Sequence, residues 1–381
     1  MGPLSGLRVV ELVGLGPGAF AGMLLADMGA EVLRVDRVEA ARAADTTRPS
    51  VNPMNRGKTS IALDLKHPAG VDALLRLVGQ ADAFIEVFRP GVAERLGIGP
   101  GVCLARNPRL VYGRLTGWGQ DGPYASAAGH DINYIALAGA LEPLGRAGQP
   151  PTPPINVLGD FAGGGMLLAL GIACAVYEAL RSGQGQVVDA AMVDGAALMM
   201  APFFPSRAIG AWGPRGTNHL DTGAPFYEVY ECADGAFVSV GAIEPQFYAE
   251  LMDRLGIPDD DELRTAQWER DRWADQKRRL ADLFRGRSRD EWCRALEYSD
   301  SCFAPVLTPL EAPEHPHAKA RGSFCFIDGI PQPAPAPRFS RTPLREPGRP
   351  THTGAETDAG LGAWGFSTTE ISDLRKEGVL P

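Results

Sequence analysis

The sequence has no run of roughly 18 or more uninterrupted apolar residues, so it indicates no membrane-spanning helix. Its N-terminus has no basic stretch followed by an apolar one, which argues against a secretory signal. The formal net charge of -9 argues against a nucleic-acid partner. The six cysteines form no C-x-x-C pair, which argues against a zinc site and a disulfide framework. We therefore expect a cytoplasmic protein with reduced thiols.

What is present is ordinary globular composition. The chain has 381 residues, of which 45% are hydrophobic and 22% charged, enough for two domains with buried cores. The 46 glycines and 32 prolines predict many turns and long surface loops.

Over the first 200 residues, apolar runs typical of buried strands alternate with stretches typical of helices. Strands are expected at 7–13, 31–35, 83–88, 109–115 and 186–190, and helices at 17–28, 67–80, 92–96 and 160–181. This alternation predicts an α/β fold: a large Rossmann-like domain whose parallel sheet is covered on both faces.

The pattern changes near residue 225. Ala233-Asp234-Gly235 separates two strand-like runs and predicts a hairpin, and amphipathic helices follow at about 245–255, 268–285 and 288–298. We expect a large domain at 1–200, a linker at 201–224 and a smaller α+β domain at 225–325. Residues 326–381 are expected to be a linker and C-terminal segment that returns to the large domain.

The turn after the first strand, Gly14-Leu15-Gly16-Pro17-Gly18-Ala19, fits the G-x-G-x-x-A pattern of dinucleotide-binding proteins. Asp36 closes the next strand, as that pattern requires, and Arg37 follows it. The same glycines also fit a tight turn with no ligand, which is the commoner case.

Six cations lie at strand ends or in the adjoining loops, where open α/β sheets bind their ligands. They suit an anionic, phosphate-bearing ligand, although a solvated basic rim has the same composition. The strongest is Arg89, because Phe88-Arg89-Pro90-Gly91 breaks a strand sharply. The six are Arg37, Arg56, Lys58, Lys66, Arg89 and Arg95.

The segment Ala128–Tyr134 brings an imidazole, a carboxylate and an amide to the start of a helical run. His130 is either a structural histidine or an acid/base group, since histidine titrates near neutral pH. Free N–H groups of the helix start, with the backbone of Asp131 a candidate donor, would stabilise an oxyanion.

A second carboxylate enters a glycine-rich helix start at Asp160. Asp160 is expected to cap this helix, act in catalysis, or do both. Gly163, Gly164 and Gly165 favour close approach of a ligand to the backbone. Glu244, where a strand gives way to a helix, either stabilises that helix start or orients His130.

These residues lie in motifs that resemble the α-methylacyl-CoA racemases of the family III CoA-transferase superfamily. The resemblance extends over nearly the whole chain, except for region 38–55, which matches family members poorly. The motifs are VVELVGLGPG, FRPGVAERLGIGP, AGHDINY, GDFAGGG, GQVVDAAMVDG, GAPFYEVYECADG, VGAIEPQFY and PAPRFSRTP.

The resemblance implies specific residue roles and an assembly. His130 and Asp160 would be the two proton-transfer groups, with Glu244 the partner of the histidine. The fold would be an interlocked homodimer in which Glu244 comes from the partner chain. Contacts to coenzyme A would be made by Arg37, Leu63, Asp64, Leu65, Lys66, Val87, Phe88, Arg89, Arg95, Gly129, Asp131 and Tyr134.

The implied activity is racemisation of 2-methyl-branched acyl-CoA thioesters, with coenzyme A as part of the substrate and no metal or redox cofactor. In the related transferases the aspartate matching Asp160 forms an acyl anhydride, so a CoA-transferase is the alternative. A non-catalytic acyl-CoA-binding protein is a third possibility. Met192, Met199 and Met200 would line an acyl pocket or, more simply, belong to the core.

Overall fold

A computed structural model describes residues 2–45, 47 and 50–381 of the chain. They divide into two compact units, one of residues 1–138, 155–199 and 321–381 and one of residues 139–154 and 200–320. The expected boundaries differ at residues 139–154 and 201–224, which both belong to the second unit. In that unit Arg146 forms two hydrogen bonds with the buried carboxylate of Glu228, at 2.7 and 2.8 Å.

The regular elements are numbered here in chain order. The strands are β1 Arg8–Leu12, β2 Glu31–Asp36, β3 Lys58–Ala62, β4 Ala83–Glu86, β5 Val111–Thr116, β6 Gln186–Ala191, β7 Tyr227–Glu231, β8 Phe237–Gly241, β9 Phe303–Pro305, β10 Phe324–Ile327 and β11 Ile330–Pro333. The α-helices are α1 Pro17–Asp27, α2 Val38–Arg42, α3 Pro68–Val78, α4 Val92–Arg95, α5 Pro100–Arg106, α6 Asp131–Leu137, α7 Leu167–Ser182, α8 Met192–Met199, α9 Phe203–Ala208, α10 Pro245–Leu255, α11 Glu262–Thr265, α12 Trp273–Phe284, α13 Arg289–Leu296, α14 Pro316–Arg321, α15 Thr357–Ala363 and α16 Thr368–Lys376. A π-helix, Val157–Met166, runs directly into α7.

The first unit is built on a six-stranded parallel sheet in the order β3-β2-β1-β4-β5-β6. Strands β1 to β5 are almost entirely buried, whereas the edge strand β6 is mostly exposed. Burial on both faces explains the nearly continuous apolar runs of β1, β2 and β4. Helices α1 and α7 cover one face, and α3, α5, α15 and α16 contribute to the core on the other. The predicted α/β fold with a parallel sheet is confirmed.

Strand β3 is not among the predicted strands because its sequence, Lys58-Thr59-Ser60-Ile61-Ala62, begins with polar residues. Lys58 is buried, and its Nζ donates to Glu11 Oε2 at 2.6 Å and to the carbonyl oxygen of Ala19 at 2.8 Å. Ser60 donates to Asp36 Oδ2 at 2.6 Å. These partners let polar side chains lie inside the sheet, where a hydrophobic pattern does not reveal them.

The second unit contains the antiparallel sheet β7-β8-β9, whose first two strands form the predicted hairpin around Ala233-Asp234-Gly235. Alternate residues of β7 and β8 face a core that includes Phe226, Tyr230 and residues of α10, α12 and α13. The second unit thus comprises residues 139–154 and 200–320, whereas the sequence led us to expect an α+β domain at 225–325.

The C-terminal residues return to the first unit. Strands β10 and β11 form a short antiparallel hairpin, and Pro350 forms a bridge with Arg56 beside β3. Helix α15 packs on β3, where Gly360 approaches Ile61 so closely that a Cβ would lie 2.5 Å from its side chain.

One helical segment among the described residues, Val157–Ser182, is long and apolar enough to cross a membrane by length and composition alone. The sequence criterion of an uninterrupted apolar run did not detect it. Its most apolar 18-residue window has a mean hydropathy of 1.7 and is 39% buried. Because core helices of soluble proteins meet the same criterion, this is weak evidence for a span.

Candidate active site

A cavity of about 530 Å³ opens at the carboxyl ends of β1, β4 and β5. Strands β1 and β4 are neighbours in the sheet although β2 and β3 separate them in sequence, so the cavity lies at a topological switch point. Ligands of open α/β sheets bind at this position. The expected site residues in its wall are Arg37, Val87, Phe88, Arg89, Gly129, His130, Tyr134 and Asp160.

His130 immediately precedes α6 and lines the cavity with an exposed side chain. Its backbone N–H donates to Asn133 Oδ1 at 3.1 Å, which holds the residue at the helix start. The structure therefore places an accessible imidazole in the cavity. The helix-start N–H of Asp131 has no acceptor within the helix and is available to an oxyanion.

Asp160 lies in the cavity wall and is the fourth residue of the π-helix. The expectation that Asp160 caps the helix is wrong, because Asn156 occupies the cap position and the helix begins at Val157. Asn156 Nδ2 donates to Asp160 Oδ2 at 3.0 Å. A Cβ on Gly16, in the turn after β1, would lie 3.8 Å from the same oxygen, so this turn lies beside the carboxyl group.

The surroundings of Asp160 favour its neutral form. Burial raises the pKa of the carboxyl group, and the negative charge of Asp131 raises it further. The hydrogen bond from Asn156 and the proximity of His130 act in the opposite direction and lower the pKa. The net shift is upward, as a carboxyl group that delivers a proton near neutral pH requires.

The glycines after Asp160 allow close packing of helices. We had expected them to allow close approach of a ligand to the backbone. A Cβ on Gly163 would lie 2.8 Å from the backbone nitrogen of Ala196 in α8, and one on Gly165 would lie 2.7 Å from the carbonyl oxygen of Pro17 in α1. Bare backbone is therefore needed for the π-helix to pack between two helices. This packing accounts for the glycines without a ligand.

Asp131 is buried, with 4% of its surface exposed, and its carboxyl group turns away from solvent toward the π-helix. Its Oδ2 accepts the backbone N–H groups of Gly159 at 2.6 Å and of Asp160 at 2.7 Å. From the sequence, Asp131 was expected to contribute its backbone N–H and a contact to coenzyme A, and its carboxyl group had no assigned role. Asn156 was not expected in the site, because the helix was expected to begin after it.

Tyr134 shapes the loop before α6. Its hydroxyl donates to the carbonyl oxygen of Gly129, and its ring contacts that of Trp118 edge-on, with centroids 4.7 Å apart. A Cβ on Gly117 would lie 2.1 Å from this tyrosine ring. Burial raises the pKa of Tyr134, so the phenol is held in its protonated form. Tyr134 therefore supports the loop that carries His130.

Four of the six expected cations fall into two groups. Arg37 and Arg89 have exposed side chains and line the cavity, so they are available to an anionic ligand. Arg56 and Lys58 are buried in ion pairs with Asp27 and Glu11, each at 2.6 Å, so their expected role in ligand binding is wrong. Their charges are neutralised within the protein.

Several other expected CoA contacts lie outside the cavity wall. Leu63 belongs to the hydrophobic core. Asp64 Oδ1 accepts the backbone N–H of Lys66 at 2.9 Å. The Lys66 side chain is 83% exposed, and its ammonium group lies 3.9 Å from the carboxylate of Glu39. Leu65 packs against the core, and the side chain of Arg95 is exposed.

The dinucleotide-binding interpretation of Gly14–Ala19 is disfavoured by the environment of Asp36. This carboxylate is buried, and its Oδ2 accepts hydrogen bonds from Arg34 Nε at 2.8 Å and from Ser60 Oγ at 2.6 Å. It is therefore not free to bind ribose hydroxyls, as the dinucleotide pattern requires.

Glu244 lies in the second unit, directly before α10, with an exposed side chain. The carbonyl oxygen of Glu244 accepts the N–H of Tyr248 at 2.9 Å, as expected at a helix start. Its side chain forms no capping hydrogen bond with α10, so it does not stabilise this helix start through such a bond. Among the residues that the structure describes, no group of three or more His, Cys, Asp or Glu side chains is arranged to hold a metal ion.

Comparison with known proteins identifies relatives over nearly the full chain. The profile of CoA-transferase family III matches residues 4–357. Alpha-methylacyl-CoA racemase of Mus musculus is 46% identical and that of Homo sapiens 44% identical, each match covering 99% of this chain and 97% of the relative. The crystal structure of a CAIB/BAIF family protein from Brucella suis superposes with a TM-score of 0.82 at 27% identity, covering 95% of this chain and 99% of that one.

Proposed function

Since the chain belongs to CoA-transferase family III, we propose that it is a racemase that interconverts the (R) and (S) forms of 2-methylacyl-CoA thioesters. Its extensive identity to two alpha-methylacyl-CoA racemases supports this activity. The observation that carries the mechanism is that an imidazole, His130, and a carboxyl group with a raised pKa, Asp160, line the same cavity.

The reaction needs a base on one face of the α-carbon and an acid on the other. Neutral His130 removes the α-proton of one epimer, and the C–H electron pair moves into the thioester to form an enolate. Protonated Asp160 then donates its proton to the opposite face. In the reverse direction Asp160 is the base and the protonated imidazole is the acid, as microscopic reversibility demands.

Two features of the site lower the barrier for this step. The N–H of Asp131, at the start of α6, donates to the enolate oxygen as negative charge develops on it. The raised pKa of Asp160 brings the acidity of its carboxyl group closer to that of the α-carbon. This reaction requires no metal ion or redox cofactor.

The coenzyme A part of the substrate is held by cations at the cavity mouth. The side chains of Arg37 and Arg89 are exposed; Arg37 directly follows β2, and Arg89 lies in the turn three residues after the end of β4. Arginine suits phosphate because its planar guanidinium donates two parallel hydrogen bonds. Binding energy from this remote part of the substrate positions the acyl group between His130 and Asp160.

The active assembly is an interlocked homodimer in which Glu244 of one subunit contacts His130 of the other. An apolar face of α7 supports a protein partner: Leu170, Tyr177 and Leu180 are 60%, 64% and 68% exposed. Exposed apolar side chains at this helical spacing are typical of an interface. A carboxylate beside the imidazole would fix its ring orientation and stabilise its protonated form.

The second candidate function is CoA transfer through an anhydride between the acyl group and Asp160, since the family includes transferases. An accessible imidazole in the same cavity favours the racemase, because transfer through an anhydride has no use for it. Hydroxylamine trapping of an acyl-Asp160 species, with CoA exchange onto a free carboxylate, would support the transferase instead.

The racemase proposal is tested by incubating one epimer of a 2-methylacyl-CoA in deuterated water. We expect incorporation of α-deuterium together with loss of optical purity, because the proton passes through groups that exchange with solvent. An enzyme that binds the thioester but leaves its α-proton in place, under conditions where the protein is folded, would exclude this function.

A further inference from the structure

The carboxyl group of Asp131 lies between the two segments that carry the proton-transfer groups. Asp131 directly follows His130 in the chain. Its Oδ2 accepts the backbone N–H of Asp160 at 2.7 Å and that of Gly159 at 2.6 Å. Hydrogen bonds this short to a buried carboxylate are strong, because the acceptor is charged and water is excluded. One side chain thus connects the start of α6 with the π-helix.

Gly159, which has no side chain, leaves room for the carboxylate of Asp131. A Cβ on Gly159 would lie 2.6 Å from Asp131 Oδ2 and 3.1 Å from Ile135 Cγ2. A side chain at position 159 would therefore displace the carboxylate or the helix. Unlike Gly163 and Gly165, which pack against other helices, Gly159 makes room for this contact.

We propose that Asp131 is a positioning residue of the active site, which fixes the backbone of Asp160 relative to the helix start that carries His130. The proposal rests on the racemase function described above, in which these two groups act on opposite faces of one carbon. Because reaction rates depend steeply on such geometry, loosening this connection slows proton transfer without removing either acid/base group.

The charge of Asp131 has a second effect. It is one of the causes that raise the pKa of Asp160, after burial, whereas His130 and Asn156 lower it. The other ionisable groups near Asp131 and Asp160 are Tyr134 and Arg89. Burial raises the pKa of Tyr134, and the positive charge of Arg89 partly opposes that shift. Removing the Asp131 charge is therefore expected to shift the titration of Asp160 to lower pH.

The test compares Asp131→Asn, Asp131→Ala and Gly159→Ala with wild type. Asp82→Asn is a matched control, because Asp82 Oδ2 also accepts a backbone N–H, that of Arg8 at 2.8 Å, directly before β4 at the opposite end of the sheet. For Asp131→Ala we expect kcat to fall about 100-fold with little change in KM, the effect of displacing a catalytic group by about 1 Å.

The two other variants separate geometry from charge. Asp131→Asn keeps an acceptor for the N–H groups, so kcat should partly recover relative to Asp131→Ala. With the epimer that Asp160 deprotonates, the acid limb of the kcat/KM profile should move to lower pH. Gly159→Ala keeps the charge but displaces it, so kcat should fall as in Asp131→Ala. Asp82→Asn should change neither kcat nor the acid limb.

The proposal is overturned if Asp131→Asn and Gly159→Ala, both folded, retain the wild-type kcat and acid limb. It is also overturned if Asp82→Asn lowers kcat as much as they do, since the effect would then be general destabilisation. The racemase function fails separately, and the proposal with it, if wild type does not exchange the α-proton. Should Asp131→Ala not fold, the other two variants decide the result.

Discussion

The carboxylate of Glu86 accepts the backbone N–H of Phe88 at a distance of 2.7 Å. Glu86 is fully buried at the end of β4, and Phe88 belongs to the turn that presents Arg89 to the cavity. The second oxygen of Glu86 accepts Arg114 Nε at 2.8 Å. A buried ion pair thus holds the loop that we expect to bind coenzyme A.

We predict that Glu86→Gln raises KM for acyl-CoA about fivefold to tenfold with little effect on kcat, the range expected for a hydrogen bond of about 1 kcal/mol. Steady-state kinetics measure both constants. Glu94→Gln is the control, because Glu94 also pairs with Arg114, at 2.9 Å, but from α4 and with a side chain that is 45% exposed. An unchanged KM in Glu86→Gln, or an equal rise in Glu94→Gln, would contradict a loop-holding role.

The exposed and buried arginines should respond differently to substitution. Arg89→Ala is expected to raise the dissociation constant for CoA roughly 10- to 100-fold, the loss expected for a charge-assisted contact of about 1.5–3 kcal/mol. Calorimetric titration with CoA at two salt concentrations measures this, and the salt dependence should weaken.

Arg56→Ala should show the opposite behaviour. It leaves Asp27 buried and unpaired, so the free energy of unfolding should fall by about 3–5 kcal/mol while CoA affinity in the folded protein stays unchanged. Urea denaturation and CoA titration of the same sample separate the two effects. Weaker CoA binding by folded Arg56→Ala would place that arginine in the site after all.

The raised pKa of Asp160 predicts how stability depends on pH. Because the folded-state pKa lies above the unfolded value, the stabilising contribution is present below the unfolded pKa and is lost as pH rises through the folded pKa. Asp160→Asn does not ionise, so at neutral pH this variant should unfold at a higher temperature than wild type.

The difference in unfolding temperature should disappear below the ordinary carboxyl pKa of 3.8, where both proteins are neutral at this position. Calorimetric scans from neutral to acidic pH measure it. A variant that is less stable than wild type at neutral pH would show that the ionised carboxylate is favoured in the folded protein.

The proposed homodimer with a shared site predicts complementation between two inactive variants. His130→Ala and Glu244→Ala are each expected to lose most activity. In a mixed dimer, one site would combine the intact His130 of one chain with the intact Glu244 of the other. Mixing the two inactive variants under conditions of subunit exchange should therefore restore activity, measured as α-deuterium incorporation. No recovery, with mixed dimers demonstrated by mass spectrometry, would contradict the shared site.

The parallel sheet could be predicted because its strands are apolar on both faces and alternate with helices. Strand β3 could not, because Lys58 and Ser60 are buried only through partners on other strands. Because such partners cannot be identified from local sequence, Arg56 and Lys58 were expected to bind a ligand. Whether a cation is paired depends on residues distant in sequence, such as Asp27 and Glu11.

For the site, sequence motifs pointed to His130 and Asp160, and the structure brings both to one cavity. The helix around Asp160 was placed too late in the sequence, since the glycines that indicated a helix start lie inside a π-helix. The carboxyl group of Asp131 was missed because its two partners are about thirty residues away, and no local pattern reveals such a contact.

The most direct test of two acid/base groups on opposite faces of one carbon is α-proton exchange by Asp160→Asn, measured separately on each epimer in deuterated water. With His130 intact, we predict that this variant incorporates α-deuterium into one epimer with retention of configuration, leaves the other epimer unlabelled, and racemises neither. Racemisation by the variant, or equal labelling of both epimers, would contradict the account.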